Sequence, residues 1–464
     1  MAGNLEVSPG INITPAPSQV TLSSNYITNF DFLSQYLPDI MEQEFERYGN
    51  RSIAAMLRQV GAELPSASDL IKWTEQGRLH TKYTDCSIAY GAGNDTAVLT
   101  VDGGTCNFRV GQTVFLSHNA STAADKAVIT ARAANDTFTV AYYAAAGGTI
   151  PDTGNDDITA FVYGSEFRKG VNGMEGALEA ESEIFEVNPI IIKDKYEVSG
   201  SDMAQIGWVE VEGDNGTGYL WYIKSNHETR LRFEDYLEMS MVEAVPAETN
   251  SGVAALTATT DVGNKGTEGM LYSIEDRGNV WSGGIPDSLG DFDDIIKRLD
   301  GQGAIQENML FVNRDMDLDL NDMLAAQNSY GVGGTSYGMF NNSEQMALNL
   351  GFSGFKRGYE FYKTDWKYLN DATLRGNLVG GSVNGVLVPA GTTTVYDNVL
   401  GKNAKRPFLH VRYRKSETED RRYKTWITGS AGGAQTSDLD AMEVHYLSER
   451  ALCTLGANNF FIFQ

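Results

Sequence analysis

Three patterns in this 464-residue chain have the residue types of a reactive or ligand-holding centre. The first is Asp315-Met316-Asp317-Leu318-Asp319, alternate carboxylates like those that open a calcium loop. Such a loop turns on a glycine at its sixth position and closes with a glutamate at its twelfth. Here those positions hold Leu320 and Ala326, so the carboxylates read as caps of the following helix. A cation held by Asp315, Asp317 and Asp319 at an interface is the other use left open. The second pattern, Gly334-Thr335-Ser336-Tyr337-Gly338, has the letters of a nucleophile elbow. That elbow needs a buried strand before it, and Gln327-Asn328-Ser329-Tyr330-Gly331 is polar, so a surface loop is expected. The third, His227-Glu228, opens like a zinc-protease helix but has Leu231 where the second histidine belongs. Gly331-Val332-Gly333-Gly334-Thr335 lacks the Lys-Ser/Thr of a phosphate cradle, and His80, His118, His227, His410 and His445 are scattered. No catalytic residue, cofactor or metal set is expected.

Bulk properties narrow the class further. A formal charge of −25 is wrong for a protein that grips phosphate backbones or an anionic membrane surface. Cys86, Cys106 and Cys453 are an odd number; Cys86 and Cys106 could pair, but all three are read as unpaired small residues of a reducing compartment. No apolar run approaches the roughly 20 residues of a membrane span. The start, Met-Ala-Gly-Asn-Leu-Glu, lacks the basic and apolar regions of a secretory signal, so the chain is expected to be cytosolic, at least when made. Forty-nine glycines and many aromatics suggest short strands joined by long loops.

Residues 1–28 read as an arm: proline-rich, aperiodic, and unable to bury a core of their own. Helices are expected from Pro38 to Tyr48, with Ile40, Met41 and Phe45 on one face, and over Ile53–Val60. Residues 84–160 change to strand-like runs at Thr96–Val101, Val114–Leu116, Val128–Thr130 and Thr137–Val140, split by Asn94-Asp95, Asp102-Gly103-Gly104 and Asn135-Asp136. This is the pattern of a small all-β module, read as an insertion. An extended excursion follows over 165–200, loose at Gly170, Gly173 and Gly176 and ending in a strand from Ile190 to Val198. Ser225 with Glu228 suggests a capping box for a long helix over 226–245. That helix carries Phe233, Leu237, Met241 and Val245 at intervals of four and stops at Pro246.

From 255 to 430 the pattern is α/β. Asp291 is read as the cap of a helix ending at Gly301, Met309–Val312 as a buried strand, and 318–328 as a helix. Strands are expected at Gly385–Val388, Phe408–Tyr413, Tyr423–Thr428, Glu443–Leu447 and Asn459–Phe463. Residues 402–424 hold nine basic and three acidic side chains. This is either a solvated strand pair or a basic edge that meets an acidic edge of a neighbour.

In that order these segments resemble the tailed-phage major capsid proteins of the Hong Kong 97 fold. Pro189-Ile-Ile-Ile-Lys-Asp-Lys-Tyr-Glu-Val-Ser-Gly-Ser-Asp resembles the strand leaving that family's E-loop, and 226–245 its spine helix. Met309-Leu-Phe-Val-Asn-Arg-Asp and Phe352–Leu369 resemble elements of its A-domain, and Leu455-Gly-Ala-Asn-Asn-Phe its closing strand. Three departures stand out: no long helical scaffolding segment precedes the arm, Gly207–Gly218 interrupts the run into the spine, and 84–160 is extra. Size and composition resemble the crAss-like gut phages.

The resemblance implies an α+β fold: an arm and helix over 1–50, an E-loop over 51–83 and 161–200, and the β insertion 84–160. It implies a P-domain over 201–254 and 431–464 and an A-domain over 255–430. It also implies a virion subunit, assembled in the host bacterial cytoplasm into hexamers and pentamers of an icosahedral shell. Further partners would be auxiliary or decoration proteins and a portal, with packaged DNA enclosed and not tightly bound. Interface candidates are Phe30, Phe32, Leu33 and Tyr36 after the arm, Ile190, Ile191 and Ile192 on the returning strand, and Arg412, Arg414, Arg421 and Arg422 in the basic stretch. The composition also suits a secreted carbohydrate-binding or carbohydrate-active protein, or another virion part such as a tail or portal-linked component.

Overall fold

The computed structural model describes residues 63–464 except 79, 92, 104–105, 146, 152–156, 179–181, 205–210, 214–215, 219–220, 254, 256–263, 304, 329–353, 398–401 and 434. The arm, the helices expected before residue 61, Phe30, Phe32, Leu33, Tyr36 and the Ser336 pattern lie outside the described residues. The chain divides into one unit of residues 73–185 and another of the flanking sequence.

Along the chain come β1 (Glu63–Ser66) and β2 (Ile71–Gln76), then six strands: β3 (Lys82–Tyr90), β4 (Thr96–Val101), β5 (Gln112–His118), β6 (Ala124–Arg132), β7 (Thr137–Tyr142) and β8 (Ile158–Ser165). These six close into a barrel in the order β3-β4-β7-β6-β5-β8. Alternation explains the closure. Ala97, Leu99 and Val101 of β4, Phe138 and Val140 of β7, and Ile158 and Ala160 of β8 all point into one core with Cys86, Val114, Leu116 and Ile129. Closing the sheet on itself removes its exposed edges. Asn94 (φ 60°) and Gly103 (φ 98°) take the left-handed conformation expected of their turns, whereas Asn135 and Asp136 turn without positive φ. The barrel includes residues 82–83 and 161–165, which the resemblance assigns to the E-loop.

β9 (Ser182–Val187) pairs with β2 as a two-stranded ribbon. Then follow β10 (Ile190–Ser199), the short α1 (Gly200–Met203), a hairpin of β11 (Val211–Gly213) and β12 (Gly216–Gly218), and the long α2 (Trp221–Glu243). α2 begins before Ser225, whose carbonyl accepts the Thr229 hydroxyl at 2.9 Å inside the helix. The capping box read at Ser225 and Glu228 is therefore corrected: a box needs a non-helical residue at the cap. Phe233, Leu237 and Met241 are buried as expected, but Val245 lies past the helix end and is 57% exposed.

The rest is α3 (Met270–Arg277), β13 (Asn279–Trp281), α4 (Leu289–Gln302), β14 (Glu307–Val312), α5 (Arg314–Asn328), β15 (Gly354–Arg357), β16 (Tyr359–Asp365), α6 (Lys367–Asn370) and β17 (Gly385–Pro389). A hairpin of β18 (Thr392–Asp397) and β19 (Lys402–Pro407) precedes β20 (Leu409–Arg414), β21 (Lys424–Gly429), β22 (Ala441–Thr454) and β23 (Phe461–Phe463). The cap of α4 is Ser288, and Asp291 is its capping-box partner three residues on, a second correction; Gly303 ends the helix in the left-handed conformation.

Two sheets organise this unit. One has the order β13-β23-β17-β14-β16-β15, the other β1-β20-β22-β10 with β21 also on β22. The six-stranded sheet is buried on both faces, which is why its central strands read as unbroken apolar runs. Leu310, Val312, Leu387, Phe461 and Phe463 face α4 and α5 through Phe292, Ile295, Leu299 and Met316. Phe311, Val386, Val388 and Ile462 face the opposite core, with Met241 and Val242 of α2 and Met270 and Ile274 of α3. On the other sheet, Phe233 and Leu237 of α2 pack against Tyr196, Val198, Val444 and Tyr446. The result is a mixed α+β protein in which one long helix serves both sheets.

Candidate functional site

The basic stretch folds onto acidic side chains of its own chain. β1 runs parallel to β20, which brings Glu63 and Asp69 to the arginines. Arg422 pairs with Glu63 and Arg414 with Asp69. Arg421 meets Glu449 at 2.5 Å, Glu449 also faces Arg414 at 3.6 Å, and Arg412 donates to the Pro65 carbonyl at 3.1 Å. Beneath them Arg450 is buried, and burial pulls its guanidinium below the usual value. It donates to Ser448 Oγ at 2.9 Å and to the Arg422 carbonyl at 3.0 Å. A local excess of positive charge in the sequence is thus a clasp of mixed sign in space. Of the four arginines, Arg422 keeps the most solvent, with a side chain 56% exposed.

Ile190, Ile191 and Ile192 sit at the start of β10, at the edge of the sheet opposite Arg450, Glu449 and Ser448. Ile190 and Ile192 pack on the two cores, whereas Ile191 is 52% exposed. Ile184 on the ribbon is 64% exposed, and Val379, on the loop between α6 and β17, is 98% exposed. Sequence reading missed these last two; for Ile184, nothing local distinguishes an apolar residue on a two-stranded ribbon from one in a covered sheet.

The three aspartates do not converge. Spacing of two on a helix turns each about 200° from the last. Asp317 points inward to Lys363 at 2.7 Å and Arg314 at 3.1 Å, while Asp315 and Asp319 are exposed. Among the described residues no group of three His, Cys, Asp or Glu side chains stands where it would hold a metal ion. Cys86, Cys106 and Cys453 are buried, and none is in a disulfide among the described residues. No helix among the described residues is long and apolar enough to cross a membrane.

The end of α2 is tied down by charge. Tyr368 donates to Glu243 Oε1 at 2.5 Å, and Arg375 grips both Glu243 oxygens, one at 2.7 Å. Burial alone would raise the Glu243 carboxyl, but these donors hold it below its ordinary value. A carboxylate at a helix C-terminus opposes the helix dipole, and Arg375 offsets that.

No protein-family model matches the chain, and no curated protein matches it. Among solved structures it is similar to the asymmetric unit of the bacteriophage PhiM1 mature capsid, at 8% identity and a TM-score of 0.40, covering 97% of this chain and 98% of that one. It is also similar to a Microbacterium phage Oxtober96 structure, at 9% identity and a TM-score of 0.37, covering 93% and 95%. A third likeness is to the capsid of a native GTA particle, at 7% identity and a TM-score of 0.36, covering 96% and 99%.

Proposed function

We propose that this chain is a major capsid protein of a tailed phage, a structural subunit that assembles with copies of itself into hexamers and pentamers of an icosahedral head. The observation that carries this reading is the order of elements. A two-stranded ribbon, β2 with β9, leads to an edge strand, β10, and a 23-residue helix follows, packed on that strand's sheet. The second sheet finishes with the C-terminal strand β23. This is the order expected from the resemblance to the Hong Kong 97 fold, with ribbon, helix and second sheet in the roles of E-loop, spine and A-domain. The domain boundaries drawn from the sequence are proposed with it, except that β23 goes with the sheet of the A-domain role and β20 and β21 with the sheet of β10 and β22, the barrel being an insertion. Residues 1–28 act as a strap on a neighbour. Phe30, Phe32, Leu33 and Tyr36, which lie outside the described residues, and the exposed Ile191 and Arg422 are the interface anchors we favour, because aromatic, large apolar and arginine side chains gain most from desolvation by a partner. The acidic balance suits a wall that encloses DNA without gripping it. Auxiliary proteins and a portal are further partners, and assembly takes place in the host cytoplasm.

Sedimentation and negative-stain microscopy of the recombinant full chain test this. Capsomers or closed shells are expected, and removal of residues 1–28 is expected to leave a folded subunit that does not close shells. A chain that stays monomeric at every concentration and salt would end the proposal, as would tubes or stacked rings.

A further inference from the structure

The barrel carries a surface that its fold does not require. Its inward positions hold the apolar core, so outward positions on β5, β6 and β8 should be polar. Instead, Phe115 and Phe161 lie against each other on the outside with ring centroids 5.2 Å apart, and Phe161 is 37% exposed. Two residues along the same strand is Tyr163, 48% exposed, with Lys126 Nζ 5.6 Å from its ring centroid. Across from it Tyr143 is 51% exposed and donates its hydroxyl to Glu166 Oε2 at 2.5 Å. Between the two tyrosines lies a shallow cleft of about 590 Å³, floored by Thr113, Gly164 and Ser165.

The floor holds the second observation. Thr113 is only 4% exposed, and its hydroxyl oxygen finds no hydrogen-bond partner among the described residues. A buried hydroxyl without a partner is costly, and this one lines an open cleft that a ligand hydroxyl can enter. Gly164 keeps that approach low, since a Cβ there would stand 3.2 Å from Thr113 Oγ1.

We infer that this cleft binds a neutral saccharide, one or two sugar rings of a glycan chain. A cleft of some 300–1,000 Å³ is of small-ligand size, below what a protein partner covers. Tyrosine faces accept the C–H face of a pyranose ring, while its hydroxyls need donors and acceptors together. Lys126 and the Tyr163 hydroxyl donate, Glu166 and the Tyr143 hydroxyl oxygen accept, and Thr113 and Ser165 do either. Burial and then the Glu166 contact raise the Tyr143 phenol above its ordinary value, so it stays a donor. A phosphate or sulfate ligand is disfavoured, because Glu166 lines the same cleft as Lys126. This inference goes beyond the capsid reading and does not depend on it: the barrel would bind the glycan whether or not the chain builds shells.

The test is saturation-transfer NMR of the full chain with glucose-, galactose- and N-acetylglucosamine-based trisaccharides, then calorimetry with the best binder. Saturable binding is expected, weakened about tenfold or more by Tyr163→Ala and by Thr113→Val, and unchanged by Val98→Ala, a substitution at another exposed barrel position. Circular dichroism of each variant confirms folding; should Tyr163→Ala unfold, Thr113→Val and Tyr143→Phe decide. The inference is overturned if no trisaccharide saturates, if folded variants bind like the parent, or if inorganic phosphate competes.

Discussion

Asp235 shows how one side chain can make this protein's stability depend on pH. It lies on α2 and its carboxyl is pushed up to about 6, first by burial and second by the charge of neighbouring Glu234. A raised carboxyl binds its proton more tightly in the folded chain than in the unfolded one, where its value is near 3.8. The folded state therefore carries no penalty below about pH 4, a growing one between pH 4 and 6, and the full one above 6. Two pKa units would set a ceiling near 3 kcal/mol, but the group is only half-buried and solvent screening reduces this to about 1 kcal/mol. Asp235→Asn should accordingly stabilise the isolated subunit by about 1 kcal/mol at pH 7 and leave it unchanged at pH 4, read from urea melts. An equal gain at both pH values would show that charge is not the cause. The Glu243 carboxyl behaves oppositely: held low by Arg375 and Tyr368, it adds stability at neutral pH that is lost as pH falls through its folded-state value.

α2 is the element on which both sheets depend, and Phe233 is its deepest anchor. Its ring lies 5.6 Å from that of Tyr446 and 5.4 Å from that of Tyr423, and the residue is fully buried. Phe233→Ala should cost about 3–5 kcal/mol, measured by denaturant melts, whereas Leu231→Ala on the exposed side should cost under about 0.5 kcal/mol. Equal costs would mean that α2 does not pack as described. The four-residue spacing of Phe233, Leu237 and Met241 made this face legible from sequence, and the runs Met309–Val312 and Phe460–Phe463 made the central strands legible. β22 was only partly so. Its predicted stretch ended at Leu447 because Ser448, Glu449 and Arg450 break the apolar pattern, yet the strand runs to Thr454. Of these, Glu449 and Arg450 are buried against Arg414, Arg421 and Glu63, partners distant in sequence. The barrel cleft was illegible for the same reason: Thr113, Lys126, Tyr143 and Tyr163 belong to different segments, and only closure of the barrel brings them together.

For the whole molecule, charge and apolar surface act in opposite directions on association. Each copy carries a formal −25, so copies repel at long range. Arg414, Arg421 and Arg422 of the basic stretch are engaged within the chain by Asp69, Glu449 and Glu63. If copies associate as proposed, the attraction between them must then come mainly from apolar side chains left in water, among which Ile184 on the β2–β9 ribbon is 64% exposed. Burying such a side chain is worth about 1.5–3 kcal/mol per contact, and a closed shell of the kind proposed would repeat the contact in every subunit. Salt shortens the range of the repulsion to about 8 Å at physiological strength and about 3 Å at 1 M, while leaving apolar burial intact. Assembly should therefore strengthen as sodium chloride rises from low to molar concentration. Ile184→Asp should abolish assembly at moderate salt while changing the melting temperature of the free subunit by no more than about 2 °C, as for a surface substitution. Light scattering against salt, with calorimetric melting of the same samples, reads both. Shells that form at parental yield from the Ile184→Asp variant, or that dissolve as salt is added, would show that ion pairs and not apolar contacts join the copies.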